Sequence, residues 1–99
     1  MNYSLIMRFK WNNDKNELLK QHRNISFEQI VLSLEDKQVV DIFEHPNQKN
    51  YKGQVFILVE HKNYIYVVPS YISKSGDECH LKTIYPSRKY TDKYLRRKE

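Results

Sequence analysis

A chain of 99 residues with a formal net charge of +5 is long enough for one domain, residues 1–99, and its 39% hydrophobic content is too high for a disordered chain. Two glycines, three prolines and one cysteine exclude a low-complexity linker and an intramolecular disulfide. No hydrophobic run is long enough for a membrane span or a signal-peptide core, so we expect a cytoplasmic protein with no membrane contact.

An alternating pattern opens the chain and predicts a strand with one buried face. Its inward positions are Leu5, Met7 and Phe9, and its outward positions are Ile6, Arg8 and Lys10. A helix capped by the cluster Asn12-Asn13-Asp14 follows and runs to about Arg23. We expect its inner side to carry Leu18, Leu19 and His22.

The strongest helical signal comes next, after Asn24, a residue that tolerates the left-handed conformation in which helices end. Ser26 and Gln29 have the spacing of a capping box. Hydrophobic residues then recur at the spacing of one helix face, at Phe27, Ile30, Val31 and Leu34. This pattern predicts a second helix with its hydrophobic side in the core.

The second half of the chain predicts strands at residues 39–43, 53–60, 64–72 and 79–85, with a polar loop at 45–50. The turns between the later strands are short and therefore require antiparallel neighbours. The run 55–59 is continuously apolar, which indicates a strand buried on both faces. We predict an α+β fold of two layers, in which two N-terminal helices pack on an antiparallel meander sheet, with a C-terminal helix at residues 88–97.

The junction between the last strand and the last helix is electrostatically unusual. Pro86 ends the strand and Ser87 is a good N-cap, so Arg88 and Lys89 fall in the first helical turn. Cations at this end oppose the helix dipole, whereas an anion bound among them would be stabilised. We predict that this corner binds an RNA phosphate.

Positive charge is concentrated at both ends of the chain. Residues 1–23 contain five Lys or Arg against two acids, residues 61–99 contain nine against four, and the middle is net acidic. A single basic face would form if the ends fold together, and it would suit nucleic acid or an acidic protein. The alternative is that these surface lysines only keep the protein soluble.

The scattered His and Cys residues do not predict a metal site, and no glycine-rich phosphate loop is present, so we expect neither a metal nor a small-molecule cofactor. RNA cleavage by the substrate's own 2′-hydroxyl needs only charge stabilisation and proton transfer. Lys82 and Arg88 are the candidates for the phosphate charge. Tyr85 and Tyr94 are candidates for base stacking or proton transfer, with core packing as the alternative. The RNA-binding candidates on the last helix are Lys89, Lys93, Arg96 and Arg97.

Five segments, in order, resemble BrnT-like toxins over roughly residues 9–94: Phe9-Lys10-Trp11, Lys15, Lys20-Gln21-His22-Arg23, Ile25-Ser26-Phe27-Glu28 and Ile84-Tyr85-Pro86-Ser87-Arg88-Lys89. The resemblance implies a RelE-like fold and a ribonuclease toxin, an mRNA interferase, of a type II toxin–antitoxin pair. Its partners would be RNA, free or ribosome-bound, and a neighbouring antitoxin protein. By position, it adds His22 to the catalytic candidates and Lys15 and Arg23 to the RNA-binding ones.

Two other functions are compatible with the basic face. One is a nucleic-acid-binding regulator without catalysis, although the two adjacent helices lack a helix-turn-helix signature because the second is acidic. The other is a protein-interaction module whose cations meet an acidic partner. Salt-dependent RNA binding is expected of a ribonuclease and of a nucleic-acid-binding regulator, but not of a protein-interaction module.

Overall fold

The structure is a computed structural model, and it describes residues 7–96. The predicted positions Leu5, Ile6 and Arg97 lie outside these residues. Within them, the elements in chain order are β1 (Arg8–Lys10), α1 (Asn13–Arg23), α2 (Phe27–Glu35), β2 (Val39–Glu44), β3 (Gln54–His61), β4 (Tyr64–Ile72), β5 (Glu78–Leu81), β6 (Tyr85–Pro86) and α3 (Arg88–Leu95). None of these helices is long and apolar enough to cross a membrane.

The helix ends confirm the predicted caps. The Asn12 side chain accepts a hydrogen bond from the backbone N–H of Lys15 at 2.9 Å, and Asn24 ends α1 with φ of 54°. Ser26 and Gln29 form both bonds of a capping box at the start of α2. Ser87 caps α3 by accepting from the N–H of Tyr90 at 3.1 Å. Helix caps depend on residues that are close together in the sequence, so the sequence pattern was sufficient to predict them.

The sheet has the strand order β1-β5-β4-β3-β2, and β2 to β5 form the predicted antiparallel meander. The prediction of an antiparallel sheet is wrong at one edge, because β1 pairs with β5 in parallel, with Phe9 opposite Cys79. Two helices separate β1 from the next strand, so no hairpin dictates its direction. The sheet is therefore mixed.

The predicted last strand is divided into β5 and β6, which share one edge of β4. Leu81 pairs with Ser70 and Tyr85 pairs with Val67. Four steps along the chain thus match three steps along β4, and the extra residue leaves the ladder as a bulge. The bulge comprises residues 83–84 and brings Lys82 and Tyr85 onto the same side of the sheet.

The two sides of the sheet bury different residues. We call the side that carries Ile57, Val59 and Val68 the closed face, and there α1, α2 and the turn between them contribute Leu19, Ile25, Phe27 and Ile30. We call the side that carries Phe56, Leu58, Ile65 and Val67 the open face, and there α3 contributes Tyr90, Tyr94 and Leu95. The prediction of two layers is wrong, because helices lie on both sides of the sheet. The run 55–59 required cover on both faces, and α3 supplies the second.

The predicted inner side of α1 is only partly right. Leu19 is 3% exposed, but Leu18 is 50% exposed and His22 is also exposed. Leu18 and His22 are four residues apart and share one stripe of the helix, so they turn outward together. Asn16 is buried beside Leu19 instead, where its amide accepts from the N–H of Phe27 and donates to Glu28, both at 2.8 Å.

Candidate nucleic-acid interface on the open face

The helix α3 has eight residues and covers only one end of the open face. Beyond it lies a cavity of about 440 Å³, within the size range of small-molecule sites. Its lining is mainly aromatic, with a few polar groups, and includes His45, Tyr51, Phe56, Tyr85, Gln54 and Lys82. The predicted residues Lys82 and Tyr85 therefore meet at one site.

Lys82 lines both this cavity and a second, neighbouring depression. Its backbone N–H donates to the carbonyl of Pro69 at 2.9 Å, which continues the β4–β5 pairing by one residue. The second depression, of about 400 Å³, is lined by Lys82 together with Lys10, Trp11 and His80. The Lys82 ammonium can thus contact a ligand that extends across both.

The other cations at this end of the sheet are neutralised. Glu78 is 3.0 Å from Arg8, 3.2 Å from Lys10 and 3.3 Å from His80. The hydrogen bond from Lys10, more than the other contacts, lowers the pKa of Glu78, which keeps the carboxylate charged. Lys82, by contrast, forms no salt bridge within residues 7–96.

The two candidate tyrosines have different environments. Burial, and then the neighbouring Tyr90, raises the pKa of Tyr85, so its phenol keeps the proton and can donate it. The Tyr94 hydroxyl donates to Asp41 Oδ2 at 2.6 Å, and this bond is the main cause of its raised pKa. Tyr94 does not line the cavity and packs in the cluster under α3. Its hydroxyl attaches α3 to β2.

The cations of α3 are largely free of acidic partners. Arg88 and Lys89 are exposed and form no salt bridge in the described part of the chain. Lys89 Nζ lies 5.3 Å from the ring centre of Tyr90, and Lys93 Nζ lies 5.4 Å from that of Tyr94. Arg96 is 3.9 Å from Asp92 and stacks over Tyr64 at 5.7 Å. The first turn of α3 carries no acid, so its positive charge is uncompensated.

The residues carried over from the N-terminal half of the resemblance lie elsewhere. Lys15, His22 and Arg23 line a separate depression of about 280 Å³ on α1, which packs on the closed face. The Arg23 guanidinium donates to the carbonyl of Ile84 and so connects α1 to the bulge. The structure does not bring His22 to Lys82 and Tyr85, so the five predicted catalytic residues do not form one site.

Sequence reasoning did not identify Tyr51 as a cavity residue, and it interpreted His45 as part of a polar turn, with contact to RNA as the less favoured alternative. The prediction treated residues 45–50 as a polar turn, but the loop folds back so that the two rings stack at 4.4 Å, with 17° between their planes. Phe56 contacts the same imidazole at 4.4 Å. The available signal was the presence of two aromatic rings in an otherwise polar loop.

Other chemistries find little support at the described residues. Within residues 7–96, no three His, Cys, Asp or Glu side chains group closely enough to hold a metal ion. Cys79 is 1% exposed, and burial raises the pKa of its thiol to about 11. A thiol in this state is protonated and unreactive at neutral pH.

No protein-family model, no curated protein and no solved structure matches this chain. The three helices and the mixed sheet of residues 7–96 define an α+β protein. The narrower RelE-like arrangement and the identity of a BrnT-like toxin stay predictions.

Proposed function

We propose that this protein is a metal-independent endoribonuclease toxin with a RelE-like fold, and that it binds single-stranded RNA on its open face. The observation that carries the proposal is the Lys82 ammonium, which has no carboxylate partner within residues 7–96, lines two depressions and shares a cavity with the protonated Tyr85. A cation beside a proton donor is the minimum equipment for phosphodiester cleavage by an internal 2′-hydroxyl.

In the proposed reaction, the RNA 2′-oxygen attacks the adjacent phosphorus while the bond to the 5′-oxygen breaks. Lys82 stabilises the charge that develops on the non-bridging oxygens. Tyr85 donates its proton to the leaving 5′-oxygen, and solvent accepts the proton of the 2′-hydroxyl and later reprotonates Tyr85. The products are a 2′,3′-cyclic phosphate and a 5′-hydroxyl.

The cations of α3 would bind the phosphates that flank the cleaved bond. Arg88, Lys89 and Lys93 are exposed and lack carboxylate partners within residues 7–96. Such contacts add affinity without sequence preference and weaken as salt rises. Lys15 and Arg23, on the other side of the sheet, have no part in this binding mode.

The resemblance to BrnT-like toxins extends the proposal to the protein's setting. It would act in the cytoplasm on mRNA, and a cognate antitoxin protein would block it. Growth arrest on induction, relieved when the adjacent reading frame is co-expressed, is the expected result.

The decisive experiment compares variants of the purified protein on a labelled single-stranded RNA in the presence of EDTA. Lys82→Ala should slow cleavage by about a hundredfold or more, and Tyr85→Phe by a similar factor. Lys74→Ala is the matched control, because Lys74 is an exposed lysine in the β4–β5 turn and its loss changes the net charge equally. Analysis of the product ends tests for the cyclic phosphate.

Each outcome separates the proposal from its alternatives. An equal loss of activity in Lys74→Ala and Lys82→Ala would mean that Lys82 acts only through the net charge of the protein. RNA binding without cleavage would favour a nucleic-acid-binding regulator. Absence of salt-dependent RNA binding would favour a protein-interaction module.

A further inference from the structure

The loop between β2 and β3, residues 45–53, presents one aromatic ring to solvent on a fixed support. Tyr51 stacks on His45, and the imidazole in turn contacts Phe56 at 4.4 Å. Tyr51 nevertheless remains 45% exposed, so the ring face that does not meet His45 is open. An exposed ring held in this way is a stacking surface for a planar ligand.

The loop is held together by its own hydrogen bonds. Gln48 Nε2 donates to the carbonyls of His45 and Gln54 at 2.9 and 3.1 Å, and Gln48 Oε1 accepts from the N–H of Gly53 at 3.1 Å. Gly53 has φ of 81°, which a residue with a side chain adopts only with strain. Because the loop is already ordered, little conformational entropy is lost when a ligand binds.

Polar groups line the cavity beside these rings. Within residues 7–96, the side chains of Gln54, Lys82 and Thr83 form no hydrogen bond, so their polar atoms are available to a ligand. The N–H of Asn47 donates to His45 Nδ1 at 3.0 Å, which fixes the imidazole in the loop. The Lys82 ammonium is therefore a hydrogen-bond donor at this cavity, and the Gln54 amide can both donate and accept.

We infer that the cavity binds one unpaired nucleobase of the RNA, stacked on Tyr51, and that it selects guanine and uracil over adenine and cytosine. This inference rests on the proposed function and adds its base specificity. Guanine and uracil present a carbonyl oxygen where adenine and cytosine present an amino group. The Lys82 ammonium donates to the carbonyl and opposes the amino group, and the Gln54 amide pairs with a neighbouring edge atom.

The test measures binding rather than cleavage. The probes are short 2′-O-methyl oligocytidylates that carry one central guanine, uracil, adenine or cytosine, which cannot form the cyclic phosphate. The wild-type protein should bind the guanine and uracil probes about tenfold more tightly than the adenine and cytosine probes. Tyr51→Ala should weaken the preferred probes about tenfold, and Gln54→Ala should reduce the preference itself.

Tyr64→Ala is the control, since Tyr64 lies outside the cavity, at the far end of β4 from Pro69. Equal affinity for the four probes, or unchanged binding by Tyr51→Ala that melts like wild type, would overturn the inference and leave a pocket suited to another ligand, such as a protein side chain. Base preference without cleavage of ordinary RNA would keep the pocket and refute the ribonuclease. Cleavage without base preference would support the ribonuclease and refute the base-binding pocket.

Discussion

The closed and open faces of the sheet differ in the kind of side chains that they carry and in how much of each face the helices cover. β4 illustrates the contrast, because its alternate residues Tyr66 and Val68 pack with two helices, whereas Val67 and Pro69 belong to the side that α3 only half covers. The closed face is filled mainly by aliphatic side chains, and the uncovered end of the open face by aromatic rings and Lys82. Helices thus cover the closed face, whereas one end of the open face stays uncovered, and there we propose that RNA binds.

The largest difference between the faces should be in stability. Phe27 is 0% exposed and stacks with Trp11 at 5.7 Å, so Phe27→Ala should lower the free energy of unfolding by about 3–5 kcal/mol. Tyr51→Ala removes a ring of similar size from the open face and should cost about 0.5 kcal/mol or less. Urea unfolding of both variants checks this contrast. A similar loss in the two would mean that the loop contributes as much to the fold as the core does.

A smaller loss is expected where the closed face depends on a buried polar group. Asn16→Ala leaves the N–H of Phe27 without its partner and should cost about 1–3 kcal/mol at neutral pH. The bond from Asn16 is the main cause of the lowered pKa of Glu28. A lowered carboxyl pKa adds stability above the unfolded value, and this stability is lost as the pH falls through the folded value.

Urea unfolding at neutral pH and at about pH 3 therefore measures two effects of Asn16→Ala. The difference from wild type should shrink as the pH falls through the folded-state pKa of Glu28, because a protonated carboxyl loses the benefit of the bond from Asn16. Asn13→Ala is the control, because Asn13 is exposed at the start of the same helix. A loss that does not change with pH would assign the whole effect to the Phe27 N–H.

Local signals in the sequence predicted the helix caps and the strand 64–72. They did not predict that Lys82 meets Tyr85, because a regular strand over residues 79–85 would place these two residues on opposite faces. Pro86 and Ser87 mark where the chain leaves the sheet, so the end of the last strand could be placed without tertiary information. The face on which α3 packs could not, because it depends on contacts such as the bond from the Ile65 N–H to Thr91 Oγ1 at 2.8 Å.

The cavity was only half predictable for the same reason. His45 and Tyr51 are six residues apart in a polar loop, and only the return of the loop stacks them. His22 was placed inward with Leu18 because both suited a helix face, but the buried stripe of α1 runs through Asn16 and Leu19. Pattern alone does not tell which of two adjacent stripes meets the core.

The attachment of α3 to the open face should show a modest dependence on alkaline pH. Tyr94→Phe removes the bond to Asp41 and should lower the melting temperature slightly at neutral pH. Because the folded-state pKa of Tyr94 is raised, the bond contributes fully below the ordinary tyrosine pKa of about 10 and is lost as pH rises through the folded value. The two proteins should therefore converge in alkali.

Thermal melts of Tyr94→Phe and of the control Tyr71→Phe, whose hydroxyl forms no hydrogen bond within residues 7–96, check this prediction. Tyr94→Phe should also cleave RNA at the wild-type rate within about twofold, since its hydroxyl is bonded to Asp41 and lies outside the cavity. A large loss of cleavage with an unchanged melt would instead return Tyr94 to the catalytic residues.

The smallest effect separates free from neutralised arginines. Arg88 has no carboxylate partner within residues 7–96, whereas Arg8 lies 3.0 Å from Glu78 and 3.6 Å from Asp77. If Arg88 binds a phosphate, Arg88→Ala should reduce the slope of log affinity against log salt by about 0.7, the value for one contact to a single strand. Arg8→Ala should leave the slope unchanged, because Arg8 is already paired and releases no counterion from RNA. Both variants lose one positive charge, so an equal change in the two slopes would show that the overall charge of the protein, and not the free cation at the start of α3, governs RNA binding.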